Sequence, residues 1–215
     1  MMNTKNRLFI LALMCFASVF LASCEKDEDT ADVSFVTTYP TIELTGEQWD
    51  AIMVGESYTD PGVEAFEGET PIEYTTTGSV DPNTPGAYVI TYTATNSDGF
   101  STSVRRYVGV ITPEAAAIDL SGQYQRNAGA LGVSTVIRLE PGLYQTNNIG
   151  GIGAPGPATT VNFFHPTVNN LVVPPQNVLG NEFAAVDATV IPGTSYSWSV
   201  VNPGYGTVLR TFVKL

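Results

Sequence analysis

The chain has 215 residues, of which 43% are hydrophobic and 14% charged, and its formal net charge is −12 at pH 7. This acidic balance argues against nucleic acid as a partner, because the phosphate backbone would be repelled. Two cysteines and a single histidine, His165, are too few for a zinc site built on thiolates or for a site with several histidines.

The amino-terminal residues have the pattern of a secretory signal. Lys5 and Arg7 precede an apolar run over residues 8–21, and small residues follow that run. The run is shorter than the roughly 20 residues that span a bilayer, and small residues before a break are typical of a cleavage site. We therefore predict that residues 1–23 are a cleaved signal peptide.

The end of this signal carries a second pattern. Leu21-Ala22-Ser23-Cys24 resembles the lipobox of bacterial lipoproteins, in which the cysteine is acylated and becomes the first residue. The resemblance implies a lipid on Cys24 and attachment to a membrane, which two or three acyl chains make stable. A plain secretory signal with an incidental cysteine is the alternative.

Residues 24–38 form a predicted acidic tether. Their start, Glu25-Lys26-Asp27-Glu28-Asp29, is a charged and solvated segment in its simplest interpretation. It also resembles the export signal that directs lipoproteins of Bacteroidetes-type bacteria to the outer face of the outer membrane. This resemblance implies that the protein is exposed on the cell surface.

Charge is unevenly distributed in the 192 residues that remain after removal of the signal, whose net charge is −14. Residues 25–112 carry a net charge of −13, and residues 113–215 carry −1. Such a shift is typical of a domain boundary. We predict a first domain at 39–112, a linker or helical turn at 113–118, and a second domain at 119–215.

The first domain shows short strands broken by turns. Residues 86–95 alternate in polarity, residues 96–99 have the composition of a turn, and residues 101–110 return with valines in phase, which predicts a hairpin. Residues 54–63, 78–81 and 86–96 resemble a bacterial Ig-like repeat with a GxxYxDPGV start and a GxYxITYTAxDxxG end. The resemblance implies a β-sandwich that acts as a spacer or an adhesion module.

Acidic side chains in the first domain raise the question of calcium, which takes six to eight oxygen ligands. No loop has a recognised spacing of ligands, and Asn96 stands where the family usually has Asp. Solvated surface charge is the favoured interpretation, and no metal or other cofactor is predicted. The candidates considered were Asp60, Glu64, Glu67, Glu69 and Asp98.

The second domain is predicted to be an antiparallel β-sandwich or small barrel, so that the whole mature chain is all-β. Its order of motifs around Tyr124, Tyr144, Gly150 and Trp198 resembles the C-terminal domain of certain Bacteroidetes lipoproteins encoded among polysaccharide-utilisation genes. That resemblance implies a glycan context. The predicted strands are residues 122–125, 133–140, 143–146, 160–164, 170–173, 183–190, 195–201 and 207–215.

Catalytic patterns in the second domain are weak. Residues 151–156 satisfy G-x-G-x-x-G, but Pro155 and Pro157 and a following β segment exclude the strand-turn-helix that binds a dinucleotide. A glycosidase needs two carboxylates across a sugar, and nothing pairs Glu140, Glu182 and Asp187. We therefore expect no enzymatic activity.

Sugar binding needs flat apolar faces and a rim of amides and hydroxyls. Alternation predicts that Tyr196 and Trp198 face the core, and adjacent Phe163 and Phe164 must point to opposite faces of a strand. For any one of these aromatic side chains, a place in the core or an incidental surface position is the favoured interpretation. The candidate ligand-binding residues are Tyr205, Phe163, Phe164, His165 and Trp49, with amides from Asn147, Asn148, Asn169, Asn170 and Asn202.

Two functions follow as hypotheses. In the first, a lipid-anchored surface protein holds a glycan-binding domain away from the membrane on an Ig-like spacer and takes polysaccharide or oligosaccharide. In the second, the protein is a structural or assembly partner of an outer-membrane transport complex and binds no sugar.

Overall fold

The computed structural model describes residues 36–215. The predicted signal peptide, the lipid site at Cys24 and most of the predicted tether lie outside the described residues. The strands fall into two groups, which we call the N-terminal sandwich (residues 40–111) and the barrel (residues 122–214). The predicted order of an all-β sandwich followed by an all-β second domain is confirmed, and the second is a barrel.

The N-terminal sandwich has seven strands in two sheets. They are β1 (Pro40–Leu44), β2 (Trp49–Met53), β3 (Val63–Glu67), β4 (Thr70–Pro71), β5 (Tyr74–Thr77), β6 (Gly86–Thr95) and β7 (Ser101–Ile111). One sheet has the order β1-β3-β4 and the other β2-β7-β6-β5. The predicted hairpin is present as β6 and β7, which pair along their whole length.

A buried arginine holds the two sheets of the sandwich together. Arg106 is 2% exposed, and its guanidinium donates to the carbonyl oxygens of Thr45 and Gly62 in the turns that face it. Its Nε lies 3.4 Å from Asp60 Oδ1, and Tyr92 donates its hydroxyl proton to the same carboxylate. Burial and this carboxylate raise the pKa of Tyr92 to about 12. Asp60 therefore has a structural role inside the sandwich.

The other acidic candidates do not converge on an ion. Glu67 accepts hydrogen bonds from the backbone and the hydroxyl of Ser97, and Glu64 and Glu69 are exposed. Within residues 36–215, no group of three His, Cys, Asp or Glu side chains is arranged to hold a metal.

Between the two groups of strands lies one turn of helix, α1 (Pro113–Ala116). Thr112 precedes it with extended backbone, and its hydroxyl accepts the Ala115 N–H, which is the usual N-cap interaction. For this segment a linker or a helical turn was predicted, and the helical turn is present. Among residues 36–215, none of the helices has the length and apolarity needed to cross a membrane.

The barrel consists of eight antiparallel strands that close on themselves. They are β8 (Gly122–Arg126), β9 (Val133–Glu140), β10 (Leu143–Thr146), β11 (Val161–Thr167), β12 (Asn170–Val178), β13 (Asn181–Ile191), β14 (Ser195–Val201) and β15 (Leu209–Lys214). All eight predicted segments are strands, and β9, β10 and β14 have the predicted bounds. Pro141-Gly142 forms the tight turn between β9 and β10.

Aromatic side chains fill the interior of the barrel. Tyr196 and Trp198 are 3% and 0% exposed, as predicted, and Trp198 donates its indole proton to the Ile149 carbonyl. The ring of Phe212 stacks on Tyr196 with centroids 4.7 Å apart, and Phe163 meets Trp198 edge-on at 5.6 Å. An eight-stranded barrel has just enough interior for side chains, so this one is a packed core.

β11 and β12 run several residues beyond their predicted ends, and each continues through proline. β11 continues through Pro166, and β12 continues through Pro174 and Pro175. A proline cannot donate to a sheet ladder, which is why strands are normally predicted to stop there. Here β11 and β12 pair only at Phe164–Val172 and Thr167–Asn170, so the ladder is already open where these prolines lie.

The sandwich and the barrel pack on each other within one compact unit, Thr38–Leu215. Phe164 points outward from β11 into a cluster with Tyr107, Ile111 and Trp49 of the sandwich. The close approach of β7 to the Phe164 ring requires a glycine on β7, since a Cβ at Gly109 would lie 2.3 Å from Cδ1 of that ring.

We predict that Gly109→Ala destabilises the protein by about 1–3 kcal/mol, because the new methyl group overpacks against a fully buried ring. Gly153→Ala is the matched control, since a Cβ at Gly153 would meet no heavy atom within 4 Å. The measurement is urea unfolding of residues 25–215, monitored by tryptophan fluorescence. Equal unfolding midpoints for the two variants would contradict the close packing of β7 against Phe164.

Candidate ligand-binding cleft

Three of the predicted ligand-binding residues are in the core, and the prediction for them was wrong. Phe163, Phe164 and His165 are 1%, 0% and 0% exposed. Phe163 and Phe164 do point to opposite faces, but the outer face is covered by the sandwich. His165 Nε2 lies 3.0 Å from the Val168 carbonyl oxygen, and burial lowers the pKa of the imidazole, which favours its neutral form.

Tyr205 and Trp49 are both half-buried. The Tyr205 ring packs edge-on against Phe183, and the Arg210 guanidinium lies 5.5 Å from its centroid. Tyr205 lies in the turn that follows β14, and it lines neither cavity described below. Trp49 stacks on Tyr107 with centroids 4.0 Å apart, and it does line a cavity.

That cavity is a cleft of about 960 Å³ between the sandwich and the barrel. Its size is within the range of small-molecule binding sites. The sandwich contributes Gln48, Trp49, Arg105 and Tyr107 among others. The barrel contributes strands β10, β11 and β12, the 3₁₀ turn Pro157–Thr159, and the hairpin between β12 and β13.

Side-chain amides dominate the barrel side of the cleft. We call Gln145, Asn147 and Asn162 the amide wall. Gln145 and Asn162 are directly opposite each other on β10 and β11, and Gln145 Nε2 donates to Asn162 Oδ1 at 3.0 Å. Among the described residues, Gln145 Oε1 and Asn162 Nδ2 have no protein partner, so an acceptor and a donor face the cleft together.

A glutamine side chain completes the sheet behind this wall. The ladder between β11 and β12 includes neither Asn162 nor Pro174, and Pro174 has no N–H to donate. The Gln176 side chain provides the missing ladder bonds. Its Oε1 accepts the Asn162 N–H at 2.8 Å, and its Nε2 donates to the Asn162 carbonyl at 2.7 Å. Gln176 is 6% exposed, and it fixes the position of Asn162 in the cleft.

An ion pair connects the two sides of the cleft. Arg105 Nη1 lies 3.0 Å from Glu182 Oε2, and it also donates to the Pro175 carbonyl, which accepts the Tyr107 hydroxyl as well. The bond to Glu182 raises the pKa of Arg105. These are the two charged residues that line the cleft in the described part of the chain, and they neutralise each other.

A second cavity of about 580 Å³ adjoins the first and shares Glu182 with it. Its walls are more apolar, with Ala184, Val186 and Val201 on the outside of β13 and β14. Of the predicted amides, Asn147 lines the cleft and Asn202 lines this second cavity. Asn148 is instead fully buried, where it donates to the Val133 and Ile152 carbonyls.

Comparison with known proteins finds a family that is similar to the N-terminal sandwich. The family described as bacterial surface protein, Ig-like domain, matches residues 42–110, which include strands of both sheets of the sandwich. The N-terminal sandwich is therefore an Ig-like domain. No curated protein matches the chain.

The solved structures that are similar to this chain include the crystal structure of a lipoprotein from Bacteroides thetaiotaomicron. It is 25% identical to this chain, and the alignment covers 82% of this chain and 100% of that one, with a TM-score of 0.37.

The residues that sequence reasoning missed are Gln145, Asn162, Gln176 and the pair Arg105 and Glu182. Gln145 and Asn162 lie at outward positions of strands, in phase with each other, and that alternation was the available signal. Nothing local indicated that Gln176 replaces a ladder bond, because its partner Asn162 is 14 residues away in the sequence.

We predict that Gln176→Leu destabilises the protein by about 1–3 kcal/mol, since it leaves the Asn162 N–H and carbonyl without their buried partner. Gln145→Leu is the control on the same wall, because Gln145 is half-exposed and bonds only a side chain; its change should stay within about 0.5 kcal/mol. Urea unfolding at 25 °C measures both. A Gln176→Leu variant as stable as Gln145→Leu would refute this role.

Proposed function

We propose that the protein is a lipid-anchored, non-catalytic glycan-binding protein of the outer-membrane surface, and that it serves a polysaccharide-utilisation system. The cleft between the Ig-like domain and the barrel is the proposed binding site. The observation that carries the proposal is the amide wall, which presents a free donor and a free acceptor side by side. Glycan hydroxyls both donate and accept, so this pattern suits them.

An apolar surface complements these amides. Trp49 is half-buried beside them, and its ring is held rigidly by stacking on Tyr107. Aromatic rings offer a flat face to the C–H groups of a sugar, while fixed amides give orientation. A rigid wall also reduces the entropy lost on binding.

The charge of the protein favours uncharged sugars. Arg105 and Glu182 cancel within the cleft, and the net charge of the chain without its first 23 residues is −14. An acidic polysaccharide would be repelled at long range and would find no unpaired cation among the cleft residues in the described part of the chain. We therefore propose that the ligand is a neutral polysaccharide or oligosaccharide.

Binding without hydrolysis is proposed from the positions of the acids. Of Glu140, Glu182 and Asp187, only Glu182 lines the cleft, and its carboxylate is paired with Arg105. A glycosidase needs two carboxylates that flank one bond, and a single ion-paired carboxylate does not supply them.

The surface location rests on two observations. Residues 42–110 are similar to a family of domains in bacterial surface proteins. The sequence before them has a signal and a lipobox-like ending at Cys24. A lipid at Cys24 and the solvated acidic segment after it would attach the Ig-like domain and the barrel to the membrane by a tether.

The glycan prediction is tested by affinity electrophoresis of residues 25–215 in gels that contain a single polysaccharide. Neutral polymers (dextran, inulin, mannan, xyloglucan and mixed-linkage glucan) are compared with polygalacturonate and hyaluronate. We expect at least one neutral polymer to retard the protein. The double variant Gln145→Ala/Asn162→Ala should lose that retardation, because it removes both free amide atoms.

The control is Gln123→Ala/Gln125→Ala, which changes two exposed glutamines on β8 outside the cleft. It should be retarded like the unchanged protein. Retardation by the acidic polymers alone would refute the neutral class. If no polymer retards the protein while it co-purifies with an outer-membrane transport complex, the glycan proposal fails and the assembly function takes its place.

The anchor is tested by mass spectrometry of the native protein from a Bacteroidetes-type host. We expect an amino-terminal Cys24 that carries a thioether-linked diacylglycerol, and Cys24→Ser should release the protein from the membrane fraction. An unmodified thiol at Cys24, or an intact segment 1–23, would remove the basis for a surface location.

A further inference from the structure

The hairpin between β12 and β13 has an unusual residue in its turn. Val178 pairs with Asn181, so Leu179 and Gly180 form a two-residue turn. Their φ angles are 48° and 84°. Positive φ at both positions is the type I′ turn, in which Asn or Asp normally precedes the glycine. Leucine is disfavoured there, because its Cβ crowds the following carbonyl oxygen.

No burial compensates for this strain. Leu179 is 72% exposed, so its side chain gains little from packing within the protein. An exposed leucine in a left-handed turn is unfavourable because its backbone is strained and because its apolar side chain faces water. Strained residues are concentrated at functional sites, and the strain itself has to be observed before a function is inferred. Here it is observed at a residue that lines the cleft.

The other left-handed non-glycine residues of the described structure provide a comparison. They are Leu131, with φ of 50°, and Asp187, with φ of 54°. Asp tolerates this conformation better than other residues. Leu131 is 53% exposed and does not line the cleft. It therefore resembles Leu179 in backbone conformation and in being exposed, but it lies outside the cleft.

We propose that Leu179 is a ligand-contact residue that packs on the apolar C–H face of a sugar ring held by the amide wall. This proposal rests on the proposed function and deepens it. The cleft then has two apolar contacts, Trp49 from the sandwich and Leu179 from the hairpin, and amides between β10 and β11. Such a site selects sugars with a continuous apolar ring face, which are pyranoses whose hydroxyls lie around the ring edge.

The proposal is tested with Leu179→Asn, which puts the favoured residue into the type I′ turn. Its unfolding midpoint in urea should rise, because strain and exposed apolar surface are both removed. Its affinity for the neutral polysaccharide that retards the unchanged protein should fall about tenfold, because a leucine contact is lost. Opposite signs of the two changes are the diagnostic result.

Two further variants separate the causes. Leu131→Asn should also raise the unfolding midpoint but leave the affinity within about twofold, since this residue is outside the cleft. Leu179→Met keeps an apolar side chain and should retain most of the affinity.

The outcomes distinguish this inference from the proposed function. If the unchanged protein binds no glycan, both fail together. If the unchanged protein binds and Leu179→Asn binds equally well, the contact role of Leu179 is wrong while the glycan-binding cleft remains. A lower unfolding midpoint for Leu179→Asn would show that the turn favours leucine, and the inference from strain would be overturned.

Discussion

The alternation of side chains in one strand determines how this molecule is assembled. Phe163 and Phe164 are neighbours in β11, so their rings must leave the strand on opposite sides. Phe163 enters the barrel and meets Trp198, while Phe164 enters the cluster with Trp49 and Tyr107. A single strand thus contributes to two cores, and a shift of its register by one residue would move side chains from each core to the opposite face. The packing of the Ig-like domain on the barrel depends on this register.

The cleft lies beside the contact that Phe164 makes with the sandwich, where the sheet of the barrel is interrupted. The ladder between β11 and β12 is open where the prolines of β12 lie, and the Pro175 carbonyl accepts bonds from Arg105 and Tyr107 instead. Gln176 then closes the gap with its side chain. Backbone groups that would otherwise lack partners are therefore satisfied across the junction, which is the requirement for burying an interrupted sheet. The remaining space between the two bodies is the cleft.

Much of the fold was predictable from the sequence, because it depends on local patterns. Alternation identified the strands of the barrel and the inward direction of Tyr196 and Trp198, and turn residues separated the strands. Strand ends near Pro166 and Pro174 were missed, because a proline is harmless only where the ladder is already open. That opening depends on long-range register, which one sequence does not reveal.

The site was harder to predict, and the reason is physical. Aromatic residues in a small all-β chain are needed for the core, and Phe163, Phe164 and His165 are used there. The predicted amides Asn147, Asn148 and Asn202 lie just beyond the ends of strands, whereas Gln145 and Asn162 lie within them. Trp49 was the one aromatic candidate that does line the cleft, and its place depends on the contact between the two bodies.

The filled interior of the barrel has a consequence for how this protein can change. Because Tyr144, Phe163 and their neighbours occupy the inside, and Phe164 makes the contact with the sandwich, the half-exposed Gln145 and Asn162 on the outside of β10 and β11 contribute little to folding. Replacing them alters what the outer wall can recognise without disturbing the packing that supports it. Related chains could therefore diversify in ligand choice by single surface exchanges on an unchanged scaffold, and the same positions are the natural starting points for engineering a new specificity.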